Sequence, residues 1–226
     1  WDHATAGEAA LLLGQFDLAR ERYAAAFAAA PGDAGSVASM RRQVGLLARV
    51  LPEAATVLPL LPAPAVVAFS GHMIDAPDRP EPRFPAELET VVAAAIRQHL
   101  TGWRKHIIYT SAACGADLIC IEAALALGAE VNVVLPFDRD DFVRPSVAGG
   151  GAGWVRRFDD ALARVARVIP ATQESYLGDD VLFEHAAWLI EGLAALRASQ
   201  LQTVPSLLCV IDVAAAGRVG GTLEAF

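Results

Sequence analysis

The sequence predicts an α/β fold, a doubly wound parallel sheet of five strands preceded by an α-helical segment. Three observations carry this expectation. From Ala65 onward, short β-branched runs alternate with helix-length stretches, the order a parallel sheet requires. Four of the five candidate strands are nearly continuous apolar runs, as expected where helices cover both faces. Residues 1–51, by contrast, are helical in pattern.

Composition narrows the function classes. The chain has 226 residues, 54% of them hydrophobic and 19% charged, enough to bury a substantial core. A net charge of −8 argues against a DNA or RNA partner, because phosphate contacts need clustered Lys and Arg. The basic pairs Arg41-Arg42 and Arg156-Arg157 fall within helical patterns and read as solvated faces. Cys114, Cys120 and Cys209 form no CxxC, which suits reduced thiols in a cytoplasmic protein. Trp1-Asp2-His3 does not open a signal peptide. The most apolar stretch, 54–69, is broken by Pro59, Pro62 and Pro64 and falls short of the ~20 residues that span a bilayer, so no membrane partner is expected.

The first domain, residues 1–51, resembles the end of a tetratricopeptide-repeat array. Gly14-Gln15-Phe16-Asp17-Leu18-Ala19, then Tyr23, Ala26 and Pro31, has the spacing of a repeat's second helix. Gly14 permits a tight turn, Ala19 and Ala26 let paired helices approach, Tyr23 fills the groove and Pro31 ends the helix. Residues 2–13 supply the preceding helix. Ser36 to Leu51 supply a third, with Val37, Met40, Val44, Leu47 and Leu51 on one stripe. A stable stack needs about three repeats, so further repeats are expected upstream; a plain helical hairpin is the alternative. A protein partner for these helices is expected on the same resemblance.

Residues 52–64 read as a proline-rich linker, and 65–226 as the α/β domain. Its strands are expected at Ala65–Ser70, His106–Ser111, Glu130–Pro136, Arg167–Ala171 and Ser206–Asp212. Helices are expected near Pro85–Leu100, Gly115–Leu127, Trp154–Val165 and Asp180–Gln200. Ligands on such sheets bind beyond the C-terminal strand ends, at the point where strand order reverses. That rule selects the loops from Gly71 to Phe84, Ala112 to Asp117, Phe137 to Gly153, Thr172 to Asp180 and Val213 to Thr222.

The second of these loops, Ser111-Ala112-Ala113-Cys114-Gly115-Ala116-Asp117, joins a strand to a helix N-terminus through small residues. Such a turn can bring free amide groups to an anion, or can simply be well packed. Cys114 sits where a thiol pKa can fall, with packing as the alternative. Asp117 can bind a ribose hydroxyl or complement the helix dipole, and Glu122 can face a ligand or solvent. His72, directly after Gly71 at a strand end, can donate to a phosphate. No histidine pair has metal-ligand spacing, so no metal is expected. Arg144 and Ser146 can meet an anion or belong to a solvated lid, and Gly149-Gly150-Gly151-Ala152-Gly153 suits a hinge. Tyr176 can stack on a base, and Asp180 reads as a helix N-cap ahead of the long helix, preceded by Asp179.

These residues together resemble the SLOG superfamily, a Rossmann-like group that includes DprA, the Lonely Guy phosphoribohydrolases and YpsA-like proteins. The resemblance rests on Ser111-x-x-Cys114-Gly115-Ala116-Asp117, on Glu122-Ala123-Ala124-Leu125, and on Gly128-Ala129-Glu130-Val131 through Pro136-Phe137. Phe69-Ser70-Gly71-His72 is similar to the Phe-Thr-Gly-His-Arg motif of the YpsA-like branch, with Met73 at the arginine position. Arg79 or Arg83 can replace that arginine from the long loop. Gly220-Gly221-Thr222-Leu223-Glu224 is similar to the Pro-Gly-Gly-x-Gly-Thr-x-x-Glu motif of Lonely Guy enzymes, with Val219 for the proline, one glycine absent and shorter spacing. The pairing with repeats resembles bacterial proteins similar to the TRAF-binding region of stress-activated kinase kinase kinases.

The resemblance implies a cytoplasmic signalling protein that senses a nucleotide-derived ligand, with no other cofactor assigned. Ser70, Gly71, His72, Arg83, Ser111, Cys114, Gly115, Ala116, Asp117, Gly220, Gly221 and Thr222 are the candidate ligand-binding residues. The alternatives are an N-glycosidase or phosphoribohydrolase, with Glu122 and Glu224 as candidate catalytic carboxylates, and a repeat-type interaction scaffold. A homo-oligomer is left open. The C-terminal glycines read as a loop entering an unfinished helix, so a piece of a longer protein is expected. The ligand-sensing reading requires the turns after the second and fifth strands to open side by side.

Overall fold

The computed structural model describes residues 1–29, 32–77, 79–103, 105–176, 178 and 180–212. Pro31, Asp179, Gly220, Gly221, Thr222 and Glu224 lie outside the described residues. Two compact units divide the chain, Trp1–Pro64 with Arg197–Val204 forming one and Ala65–Leu196 with Pro205–Phe226 the other.

The first unit is helical: α1 (Asp2–Leu12), α2 (Phe16–Ala29) and α3 (Ala34–Leu47). Gly14 sits at φ +70° in the turn between α1 and α2, a conformation that favours glycine. Tyr23 is buried over Gly7, where a Cβ would stand 2.8 Å from the ring; glycine is what lets the aromatic side chain settle there. Asp33 caps α3 by accepting from the Ser36 N–H at 3.0 Å. Residues 52–60, expected as part of a linker, instead form a 3-10 helix, Pro52–Leu60, that buries Ala54 and Val57 in the same core as Val37 and Val44. Two backbone carbonyls, of Leu61 and Gln202, accept from Arg41 at 2.7 and 3.1 Å.

The second unit is an all-parallel sheet of five strands in the order β4-β3-β2-β1-β5. The strands are β1 (Ala65–Gly71), β2 (His106–Thr110), β3 (Glu130–Leu135), β4 (Arg167–Pro170) and β5 (Pro205–Val210). Between them run α4 (Glu89–Thr101), α5 (Ala116–Ala126), α6 (Arg139–Ser146), α7 (Ala152–Leu162) and α8 (Val181–Gln200). Alternation along the strands splits the core in two. Val67, Phe69, Ile108, Val131 and Val133 join residues of α4, α5 and α7 in one cluster. Val66, Ala68, Ile107, Tyr109 and Val134 are equally buried and lie outside it. The first three crossovers step one way along the sheet and the last steps back, so right-handed connection puts α8 on the face opposite α4, α5 and α7. This is the doubly wound arrangement.

Helix α6 departs from expectation, because the stretch read as a loop from Phe137 to Gly153 is ordered. Asp138 caps it, accepting from the Asp140 N–H at 2.9 Å, and Phe142 anchors it in the core. A 3-10 turn, Ala148–Gly150, follows, with Gly150 beneath Trp154. The run expected as a hinge therefore includes a packed turn.

Candidate functional site

The site is built where the loops after β1 and β2 meet. The His72 N–H donates to Val210 O at 2.9 Å and prolongs the β1–β5 pairing by one residue. The chain then turns toward the loop after β2, where Met73 bridges Gly115. There Ile74 N–H donates to Cys114 O at 3.0 Å and Ala116 N–H to His72 O at 3.0 Å. A Cβ on Gly115, at φ +108°, would lie 2.4 Å from Ile74 N; one on Gly71 would lie 2.4 Å from the Ala116 Cβ. These glycines therefore serve the close approach of two loops.

That stitching changes the reading of the α5 N-terminus. Three of the amides expected to face an anion are spent internally: Ala116 on His72 O, Cys114 on Ser146 O at 2.8 Å, and Ala113 on Asp117 Oδ2 at 3.3 Å. Cys114, Gly115 and Ala116 are buried, and none lines the cleft that opens above them. Burial pushes the Cys114 thiol up to about 11, which removes the low-pKa reading and leaves packing.

The cleft itself, of about 380 Å³, lies at the C-terminal ends of β1 and β2. It brings together six of the expected residues: Ser70, Gly71, His72, Arg83, Ser111 and Asp117. Ser146 and Asp180 complete the polar lining, while Phe183, Ala187 and Ile190 of α8 give one apolar wall. Asp117, in the first turn of α5, is buried, and its Oδ1 has no hydrogen-bond partner among the described residues. Burial pushes its carboxyl up to about 7, outweighing the Ala113 and Gly71 amides that favour the anion. His72 is buried too, with Nε2 unpartnered among the described residues. Its pKa is held below the usual imidazole value by burial and by Arg83, against the pull of Asp212 and Asp75.

Arg83 is delivered by a loop that Asp75 closes. Asp75 Oδ2 accepts from the Arg83 and Phe84 N–H groups, each at 2.7 Å, while Oδ1 faces Arg79 Nε at 3.3 Å. The Asp75 N–H completes the closure by donating to Phe84 O at 2.8 Å. Asp75 was not singled out from the sequence. Side chains of this type bond nearby backbone, but a partner eight residues away leaves no local signal.

Other expected residues go elsewhere. Glu122 lies outside the cleft lining and accepts a bidentate pair from Arg157, Nε to Oε1 and Nη2 to Oε2, each at 2.7 Å. Arg157 also donates to Glu89 at 2.6 Å and stacks 3.8 Å above the Trp154 ring, so it ties α4, α5 and α7 together. Tyr176 stacks on Phe137 at 4.7 Å, and its own ring is thus engaged in an aromatic cluster with Phe183. Arg144 is exposed and pairs with Asp141 at 3.6 Å. Asp180 directly precedes α8, lines the cleft, and accepts from Glu184 N–H through its carbonyl at 3.2 Å. Among the described residues, no group of three or more His, Cys, Asp or Glu side chains is placed to hold a metal, and no helix is long and apolar enough to cross a membrane.

Strand β1 lies between β2 and β5, so the two strand ends from which side-by-side turns were expected are not neighbours, and the turn expected at 213–222 lies outside the described residues. The loop after β1 is what meets the loop after β2. No protein-family model matches the chain, and no curated protein shows significant sequence similarity to it.

Proposed function

We propose that the cleft binds a nucleotide-derived small molecule, its hydroxylated and anionic part held by Ser70, His72, Ser111, Asp117 and Arg83. One observation carries this reading. Seven polar side chains, those of Ser70, His72, Arg83, Ser111, Asp117, Ser146 and Asp180, converge on one cleft at the C-terminal ends of parallel strands, and two of them, Asp117 and His72, keep a buried polar atom without a protein partner among the described residues. Asp117 is suited to hydroxyl groups, because near neutral pH it can both donate and accept. Arg83 supplies fixed positive charge for a phosphate. The helices of residues 1–51 are read as the repeat-like part, which engages a protein partner in a cytoplasmic signalling protein.

The test is calorimetry with nucleoside 5′-monophosphates and ribose 5-phosphate. Binding to the wild-type chain, weakened at least tenfold by Arg83→Ala and by Ser111→Ala with Asp117→Asn, is the expected result. Heats indistinguishable from dilution for every probe overturn the reading.

A second reading, hydrolysis of an N-glycosidic bond, is favoured by the same carboxyl. A group with a pKa of about 7 in a cleft is matched to general acid catalysis. On this reading Asp117 takes the role that Glu122, tied to Arg157, was expected to fill. Release of free base from a nucleoside monophosphate, lost in Asp117→Asn, would distinguish it from binding alone.

A further inference from the structure

A second hollow lies across the wall formed by His72 and Arg83. It measures about 450 Å³ and is bounded by the loop after β1, the start of α4 and the end of β5. Phe84, Pro85, Leu88, Val92, Val210 and Ile211 make it largely apolar, and Asp212 adds a carboxylate. His72 and Arg83 are the two residues that belong to both linings. The strand order explains the placement. The polar cleft opens between the ends of β1 and β2, and the apolar hollow between the ends of β1 and β5, where the direction of winding reverses. That reversal is the crevice in which open α/β sheets take their ligands.

We infer that the two hollows form one bipartite site, in which the apolar one takes the flat heterocyclic end of the ligand whose hydroxylated, anionic part occupies the polar cleft. The inference rests on the proposed binding reading and adds to it a base subsite with its own residues. Three features support it. A ring is apolar on its faces and polar at its edge, which matches aliphatic and aromatic walls with one carboxylate, Asp212, among the described lining residues. The group joining the two ends passes the shared wall, where Arg83 provides a guanidinium and His72 an imidazole. Arg83 and Phe84 are placed together by Asp75, which accepts from both of their backbone amides, so one carboxylate orients the donor at the wall and the aromatic side chain of the second hollow.

The experiment is calorimetry of the full chain with the four ribonucleoside 5′-monophosphates and with ribose 5-phosphate. Leu88→Trp fills the second hollow from a side chain that is 44% exposed, and Leu88 does not line the polar cleft. Val92→Phe fills it from α4 as an independent variant, and circular dichroism checks that each is folded. At least one monophosphate should bind the wild type tenfold or more tightly than ribose 5-phosphate. Both variants should abolish that advantage while leaving ribose 5-phosphate affinity within twofold. Equal affinity for ribose 5-phosphate and all four monophosphates, or an advantage that survives both folded variants, overturns the base subsite while leaving the polar cleft standing. If no probe binds, the binding reading and the base subsite fall together.

Discussion

Asp117 carries the strongest electrostatic consequence at the scale of single residues. Its folded-state carboxyl titrates near 7, well above its value of 3.8 in an unstructured chain. Between those values the native chain holds a proton that the unfolded chain has released, so stability falls as pH rises across the window. The loss is complete above about pH 7 and amounts to roughly 4 kcal/mol. Asp117→Asn should therefore melt near wild type at pH 4 and well above it at pH 8; parallel melting curves at both pH values would remove the buried-carboxyl account. Asp75 matters through its hydrogen bonds to the loop backbone. Asp75→Ala leaves the Arg83 and Phe84 amides without their acceptor. It should cost about 2 kcal/mol in denaturant titrations and weaken ligand binding together with stability.

At the scale of elements, periodicity made the regular parts legible. All five strands were located to within a residue or two, and α5 and α7 to within about three. In β1, β2 and β3 continuous burial leaves a continuous apolar signal, whereas β4 is largely exposed and was placed by the alternation of strands and helices. Helix α6 escaped notice because half of Arg139 to Ser146 is charged and the stretch contains Pro145. What orders it is the Asp138 cap and one buried phenylalanine, Phe142. The cleft was half legible. Strand-end position identified Ser70, His72, Ser111 and Asp117, since the C-terminal rule is local in sequence. The pairing of Glu122 with Arg157 and the closure of the loop by Asp75 link residues 35 and eight positions apart, for which one sequence holds no signal. Two predictions belong here. Gly115→Ala forces a Cβ into the Ile74 backbone at a positive φ and should cost ~3 kcal/mol or more, read by chemical denaturation. Arg157→Ala removes a half-exposed ion-pair cluster and a ring contact. It should cost about 1 kcal/mol after allowance for solvent screening, with ribose 5-phosphate affinity unchanged.

At the scale of the whole molecule, the chain does not visit its two compact units once each. It builds most of the helical unit, enters the sheet, returns to the helical unit with Arg197–Val204 and goes back to lay down β5. Leu201 is buried, and Arg41 donates to Gln202 O, so the returning segment is packed into that unit. A chain starting at Ala65 lacks the rest of that core. It should melt several degrees below the full chain in calorimetry; an unchanged melting temperature would show that the segment needs no such support.

The position of β5 beside β1 also sets an order of events at the ribosome. β1 is among the first strands made, yet one of its edges stays bare until Pro205–Val210 emerges some 130 residues later. The helical unit likewise waits for Arg197–Val204. Neither half can finish while the nascent chain is short, so folding that begins at the N-terminus stalls with an unpaired apolar strand. Molecules that shield such strands during translation should matter more to this chain than to one whose domains close in succession.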